Sequence, residues 1–130
     1  MTPVLTGLYA IPLVVLMIGL STHITLLRAS TGISIMDGGN MQLAERIRRH
    51  GNFVENVPMV LLLMAIAELL GATAVWMHTA GALLLAGRAL HAAGVYHGNP
   101  KALPRILGGS ATTLATLVAT TAIALRAIAV

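Results

Sequence analysis

Three stretches of this 130-residue chain contain no Asp, Glu, Lys or Arg: 24 residues from Val4 to Leu27, 19 from Leu69 to Gly87 and 20 from Ile106 to Leu125. A helix needs about 20 apolar residues to cross a hydrocarbon core. A fourth stretch, Phe53 to Leu70, is apolar except for Glu55, Asn56 and Glu68. A soluble domain could not cover such segments. Ordinary globular chains carry roughly 25% charged residues, whereas this one carries 9%, with a mean hydropathy of +0.87. These figures exclude a disordered chain and a soluble enzyme domain. Eight Lys and Arg residues scattered among apolar runs make no basic stripe, so nucleic acid is excluded as a partner. The expected fold is an all-α membrane protein, a bundle of four transmembrane helices at about 3–27, 43–70, 73–95 and 105–128 in a single domain, 1–130. The first run lacks a basic n-region and is too long for a signal-peptide core, so it is read as a mature helix.

The connections agree with four spans. Residues 30–40 hold Thr31-Gly32, Ser34 and Asp37-Gly38-Gly39-Asn40, a breaker-rich loop. Gly71 leaves almost no loop between spans two and three, and Gly98-Asn99-Pro100 ends the third. Pro104 sits at the first turn of the fourth, where proline is tolerated. The connections at 28–49 and 95–105 share one side and carry Arg28, Arg46, Arg48, Arg49, Lys101 and Arg105; the other side offers only Arg126. The positive-inside rule therefore puts both basic connections in the cytoplasm and both termini outside. On the last helix Gly108, Thr112, Thr116, Thr120 and Ala124 recur every four residues, beside a second row of Ala111, Ala115 and Ala119. Small rows of this kind let helices approach closely in lipid.

Seven of the twelve charged residues lie between Arg28 and Glu55. Helical spacing puts Arg48, Asn52, Glu55 and Met59 on one face, with Arg46 and His50 turned away from it. An ionisable group near the centre of a membrane helix costs on the order of 3 kcal/mol, less toward the interface. Glu55 therefore needs a partner, and an arginine is the obvious one. Pro58 withholds a hydrogen bond from the carbonyl of Val54 and is expected to kink the helix. Arg28 and His23 end the first helix, Arg88, His91 and Tyr96 end the third, and Arg105 opens the fourth. His23, His50, His91 and His97 all fall on this side. Taken singly, an arginine here is explained by topology and a histidine by a helix-end hydrogen bond.

Together they suit a polar anionic ligand, whose carboxylates take arginine forks and whose amine takes a carboxylate. An arginine beside a ligand thiol favours the thiolate, the nucleophilic form. The chain has no cysteine, so any such sulfur comes from the ligand. No histidine spacing supports a metal site, and no serine has a nucleophile-elbow context.

The segment Arg48-x-His50-x-Asn52-x-x-Glu55-x-x-Pro58 resembles the second-helix signature of the MAPEG family, the membrane-associated proteins in eicosanoid and glutathione metabolism. The resemblance covers the whole chain, including Arg88-x-x-His91-x-x-Gly94 at the end of the third helix. It points to a bacterial member resembling the microsomal glutathione transferases. It implies a homotrimer in the inner membrane that binds glutathione as thiol co-substrate between protomers, near the cytoplasmic side. By the same resemblance Arg48, Asn52 and Glu55 contact glutathione, Glu55 at its amino group and Arg48 at a carboxylate. Arg28, His50, His91 and Tyr96 complete the expected binding set, and Arg105 is the candidate for activating the thiol. Val95 and His91 stand where relatives often carry tyrosines. The expected activity is conjugation of glutathione to a lipophilic electrophile, or reduction of a lipid hydroperoxide. The expected partners are a hydrophobic small molecule or lipid and the membrane lipids. The alternative is a non-catalytic lipid-binding or structural trimer. A small multidrug-type transporter would need a midplane carboxylate, and Glu55 and Glu68 lie near opposite borders, roughly 20 Å apart at 1.5 Å per residue.

Overall fold

The computed structural model describes residues 2–96 and 102–129. His97, Gly98-Asn99-Pro100 and Lys101, named above, lie outside the described residues. The described chain forms four helices in sequence: α1 (Val4–Thr31), α2 (Met41–Leu69), α3 (Ala74–Gly94) and α4 (Leu103–Ile128). Three of them, α1, α2 and α4, are long and apolar enough to cross a membrane. The third, expected as a span at about 73–95, is not among them: its 21 residues include His78, Arg88 and His91.

The helix ends follow local chemistry. Gly32 takes a left-handed conformation (φ 71°) and donates its N–H to the carbonyl of Arg28, so α1 runs four residues past the expected end. Asn40 accepts a hydrogen bond from the Leu43 N–H at 3.1 Å and caps α2. At the other end of α2, Gly71 (φ 81°) donates to the Glu68 carbonyl and Ala72 to the Ala67 carbonyl, the paired bonds of a Schellman turn. Both α1 and α2 continue as helix through their internal prolines, Pro12 and Pro58.

Long-range bonds establish that α2 runs antiparallel to α1 and α3, which are parallel to each other. At one end Arg46 donates to the His23 carbonyl and Arg49 to the Val95 carbonyl, each at 2.6 Å. At the opposite end Tyr9 Oη meets His78 Nδ1 at 3.0 Å. The Glu68 carboxylate there accepts from the Leu5 and Thr6 N–H groups at 2.7 and 2.8 Å and from the Thr6 hydroxyl at 2.8 Å. Glu68 thus satisfies donors that the first turn of α1 leaves open and complements its positive end. Glu68→Ala is expected to lower stability by about 1.5–3 kcal/mol, the range for hydrogen bonds to a charged group. Thermal melts in detergent check this; Glu68→Gln, which keeps an acceptor, loses less.

The closest packing is between α3 and α4. Gly87 lies against Gly108, Ala111 and Thr112, His91 against Gly108, and Gly94 against Arg105. A Cβ on Gly94 would collide with the backbone N of Arg105, and one on Gly87 would sit 2.9 Å from the Gly108 carbonyl. The buried seam of α4 runs Gly108, Thr112, Ala115, Ala119, Ala122. It therefore crosses from one expected small row to the other, leaving Thr120 and Ala124 exposed. A strict four-residue step rotates about 40° per turn, because a helix has 3.6 residues per turn, so it leaves the contact after two steps. Among the described residues α1 packs on α2 and α3 but not on α4.

Candidate functional site

The helix ends that meet near Arg49 and Val95 also gather the arginines. Arg88, only 3% exposed, enters between α3 and α2. Its Nη1 donates to Asn52 Oδ1 at 2.7 Å and to the Asn52 carbonyl at 3.3 Å, while its Nε has no partner. His91, one turn further along α3, is 9% exposed and lies within the electrostatic reach of Arg88, Arg105 and Arg48. Arg105, in the first turn of α4, is brought there by the Gly94 contact, which lets its backbone lie directly against α3.

The face expected from helical spacing divides in two. Asn52 sits at its inner edge, against Arg88. Arg48 and Glu55 sit at its outer edge, 3.5 Å apart with 58% and 55% of their side chains exposed, and Met59 is exposed beyond them. The outer pair lines an open groove of about 420 Å³, whose other walls are Met36 and Asp37 of the α1–α2 loop and Ala44, Ile47 and Gly51 of α2. Asn56 donates to the Asn52 carbonyl at 2.8 Å, so its side chain is tied to the same turn. A separate apolar cavity of about 200 Å³ lies between α1 and α2, lined by residues that include Leu13, Met17, Phe53, Val57 and Pro58.

The family model described as MAPEG matches residues 6–125, nearly the whole chain.

This chain belongs to the MAPEG family.

The inner membrane protein YecN of Escherichia coli, from strain K12 and from an O6:H1 strain, is 37% identical over 92 residues, which cover 71% of this chain and 70% of YecN. No solved structure matches the chain. In this MAPEG protein the fold gathers Arg48, Asn52, Glu55, His91 and Arg105 at one end of the bundle. Arg28 is directed elsewhere: its guanidinium donates to the Ile33 and Met36 carbonyls at 3.1 and 2.9 Å and braces the loop beside the groove. His50 is half-buried on the Arg46 side of α2, away from Glu55, and Tyr96 is exposed just beyond the end of α3. Among the described residues no group of His, Cys, Asp and Glu side chains is arranged to hold a metal.

Arg88 stands among the converging polar groups and in the third-helix motif, but outside the expected binding set. Its position two turns inside the helix was the available signal. A guanidinium that deep must find partners, and Asn52 is the polar group at matching depth on α2.

Proposed function

We propose that this MAPEG protein binds glutathione at the basic end of the bundle and uses its thiolate to attack lipophilic electrophiles or lipid hydroperoxides. The observation that carries the reading is the charge pattern. Arg48, Arg88 and Arg105 converge there, Glu55 pairs with Arg48, Asp37 stands across the groove and Glu45 is taken by Arg49. Glutathione offers two carboxylates and a thiol for the cations and one ammonium for Glu55. Arg105 stands in the first turn of α4, where the guanidinium and the positive helix end both favour a thiolate. In conjugation the sulfur forms a bond to carbon as the leaving group departs with its electron pair. With a hydroperoxide it takes the terminal oxygen and releases an alcohol, and a second glutathione then yields the disulfide and water.

The outward-facing Arg48–Glu55 pair supports completion of the site by a neighbouring copy in a homotrimer. The basic end would face the cytoplasm and both termini the opposite side of an inner membrane, by the positive-inside rule. The same exposure favours a second reading, a non-catalytic lipid-binding or structural trimer in which this pair serves assembly alone.

Calorimetric titration of the detergent-purified protein with glutathione, paired with a conjugation assay on an aryl halide, separates the two. Arg48→Ala and Glu55→Gln are each expected to weaken binding at least tenfold, since hydrogen bonds to charged groups contribute about 1.5–3 kcal/mol, with the oligomer intact. No heat and no conjugation would sink the enzyme reading. Variants that only dissociate the oligomer would establish the assembly reading.

A further inference from the structure

We propose that Arg88 is a positioning residue that locks the Asn52 amide with its NH2 edge toward the ligand, which makes this subsite a pure donor, selective for carboxylate or thiolate and closed to ammonium. The inference deepens the reading of this cluster as a polar-ligand site.

Arg88 is 3% exposed, and among the described residues no carboxylate pairs with it. A buried guanidinium without an acid carries a heavy desolvation cost unless its protons are matched by acceptors. Those acceptors are both on one residue. Asn52 Oδ1 lies 2.7 Å from Arg88 Nη1 and the Asn52 carbonyl 3.3 Å from the same nitrogen. That carbonyl also accepts from Asn56 Nδ2 at 2.8 Å, so residue 52 is held through its backbone and its side chain together.

An asparagine amide ordinarily offers one acceptor and two donors. Here the acceptor edge is taken. Flipping the amide would put its N–H groups against guanidinium N–H groups, donor on donor, inside a buried contact. The free edge of Asn52 therefore presents donors only. One helical turn further, Glu55 presents acceptors only, and the two sit at opposite edges of the same face. Together they sort a zwitterionic ligand, its ammonium to Glu55 and an anionic group to Asn52, and they fix its direction in the site. The unpartnered Arg88 Nε adds uncompensated positive charge behind that subsite.

Asn52→Asp gives the decisive measurement, because a structural role and a positioning role predict different results. The new carboxylate pairs with Arg88 and supplies the missing counter-charge, so the thermal midpoint in detergent is expected to hold or rise. It also replaces the donor edge with an oxygen, so glutathione affinity by calorimetry is expected to fall about 30-fold, within the range for losing a charge-assisted hydrogen bond. Arg88→Lys, which keeps a donor for Oδ1, is expected to bind within about threefold of the parent. Arg88→Met, which frees the amide, is expected to weaken binding more than Arg88→Lys. Inorganic sulfate is the second probe. It is expected to raise the thermal midpoint of the parent protein and of Arg88→Lys but not of Asn52→Asp.

A parent protein that ignores glutathione yet is stabilised by sulfate, with the stabilisation lost in Asn52→Asp, would overturn the glutathione reading and leave this one standing. Asn52→Asp that binds both probes like the parent, or that fails to fold, would overturn the positioning role. So would sulfate and glutathione both leaving the parent unchanged.

Discussion

Gly108→Val is expected to force α3 and α4 apart and to abolish ligand binding along with stability. A Cβ at this position would overlap the backbone N of His91 and lie 2.5 Å from the Gly87 carbonyl and 2.8 Å from the His91 Cα. None of these atoms belongs to a flexible side chain, so no rotamer change can relieve the overlap. Overpacking in a well-packed contact costs 1–3 kcal/mol where side chains can give way. Here the backbone itself must move, and a cost of about 3 kcal/mol or more follows. A fall in the detergent thermal midpoint of about 10 °C or more is the expected readout. Gly109→Val is the control: nothing lies within 4 Å of a Cβ there, and its midpoint is expected to stay within a few degrees of the parent. Equal losses from the two variants would mean that helix propensity, rather than the close crossing, is what these glycines serve.

Arg105→Ala is expected to cut the rate of conjugation by about 10²–10³-fold, the usual cost of removing one preorganised group that stabilises developing or resident negative charge. The proposed place of this arginine is beside the ligand thiol. A free cysteine thiol has a pKa near 8.5. A cation beside the bound thiol favours its charged form, so it brings the titration to lower pH, and removing the cation returns it upward. The pH–rate profile of Arg105→Ala is therefore expected to shift to higher pH, with part of the lost rate recovered in alkaline solution. Arg105→Lys keeps the charge and should stay closer to the parent profile. Because its proposed partner is the thiol and not a carboxylate, glutathione affinity should change much less than the rate. A variant with parent rate and parent pH profile would remove Arg105 from the reaction.

The distribution of charge made much of this molecule legible. Runs free of Asp, Glu, Lys and Arg are a local property, so the helices could be read from one-dimensional spacing. So could the shared face of Arg48 and Glu55, seven residues apart on α2. What spacing could not supply was pairing across the bundle. Glu68 read as a carboxylate near one membrane border, and its partners, Leu5 and Thr6, are more than sixty residues away. Arg28 read as a member of the ligand set, but an arginine at a helix end can also turn to nearby carbonyls, and Ile33 and Met36 supply them. Asn52 was placed on the right face, yet whether its amide meets a ligand or the interior depends on where α3 brings Arg88.

The attachment of α1 has a mechanical consequence. It is fastened at one end by Glu68 to its first turn and at the other by Arg46 to the His23 carbonyl, and it never reaches α4. Between these fastenings lies the apolar cavity beside Leu13 and Met17, whose lining atoms have no partner on one side. Lipid tails solvate an aliphatic helix as well as its neighbours do, so nothing but packing draws that middle section inward. The helix is therefore a beam clamped at its ends over a soft span. When it yields, it bows outward at its centre instead of swinging from a terminus, and a slender acyl chain can part it from α2 without breaking either clamp.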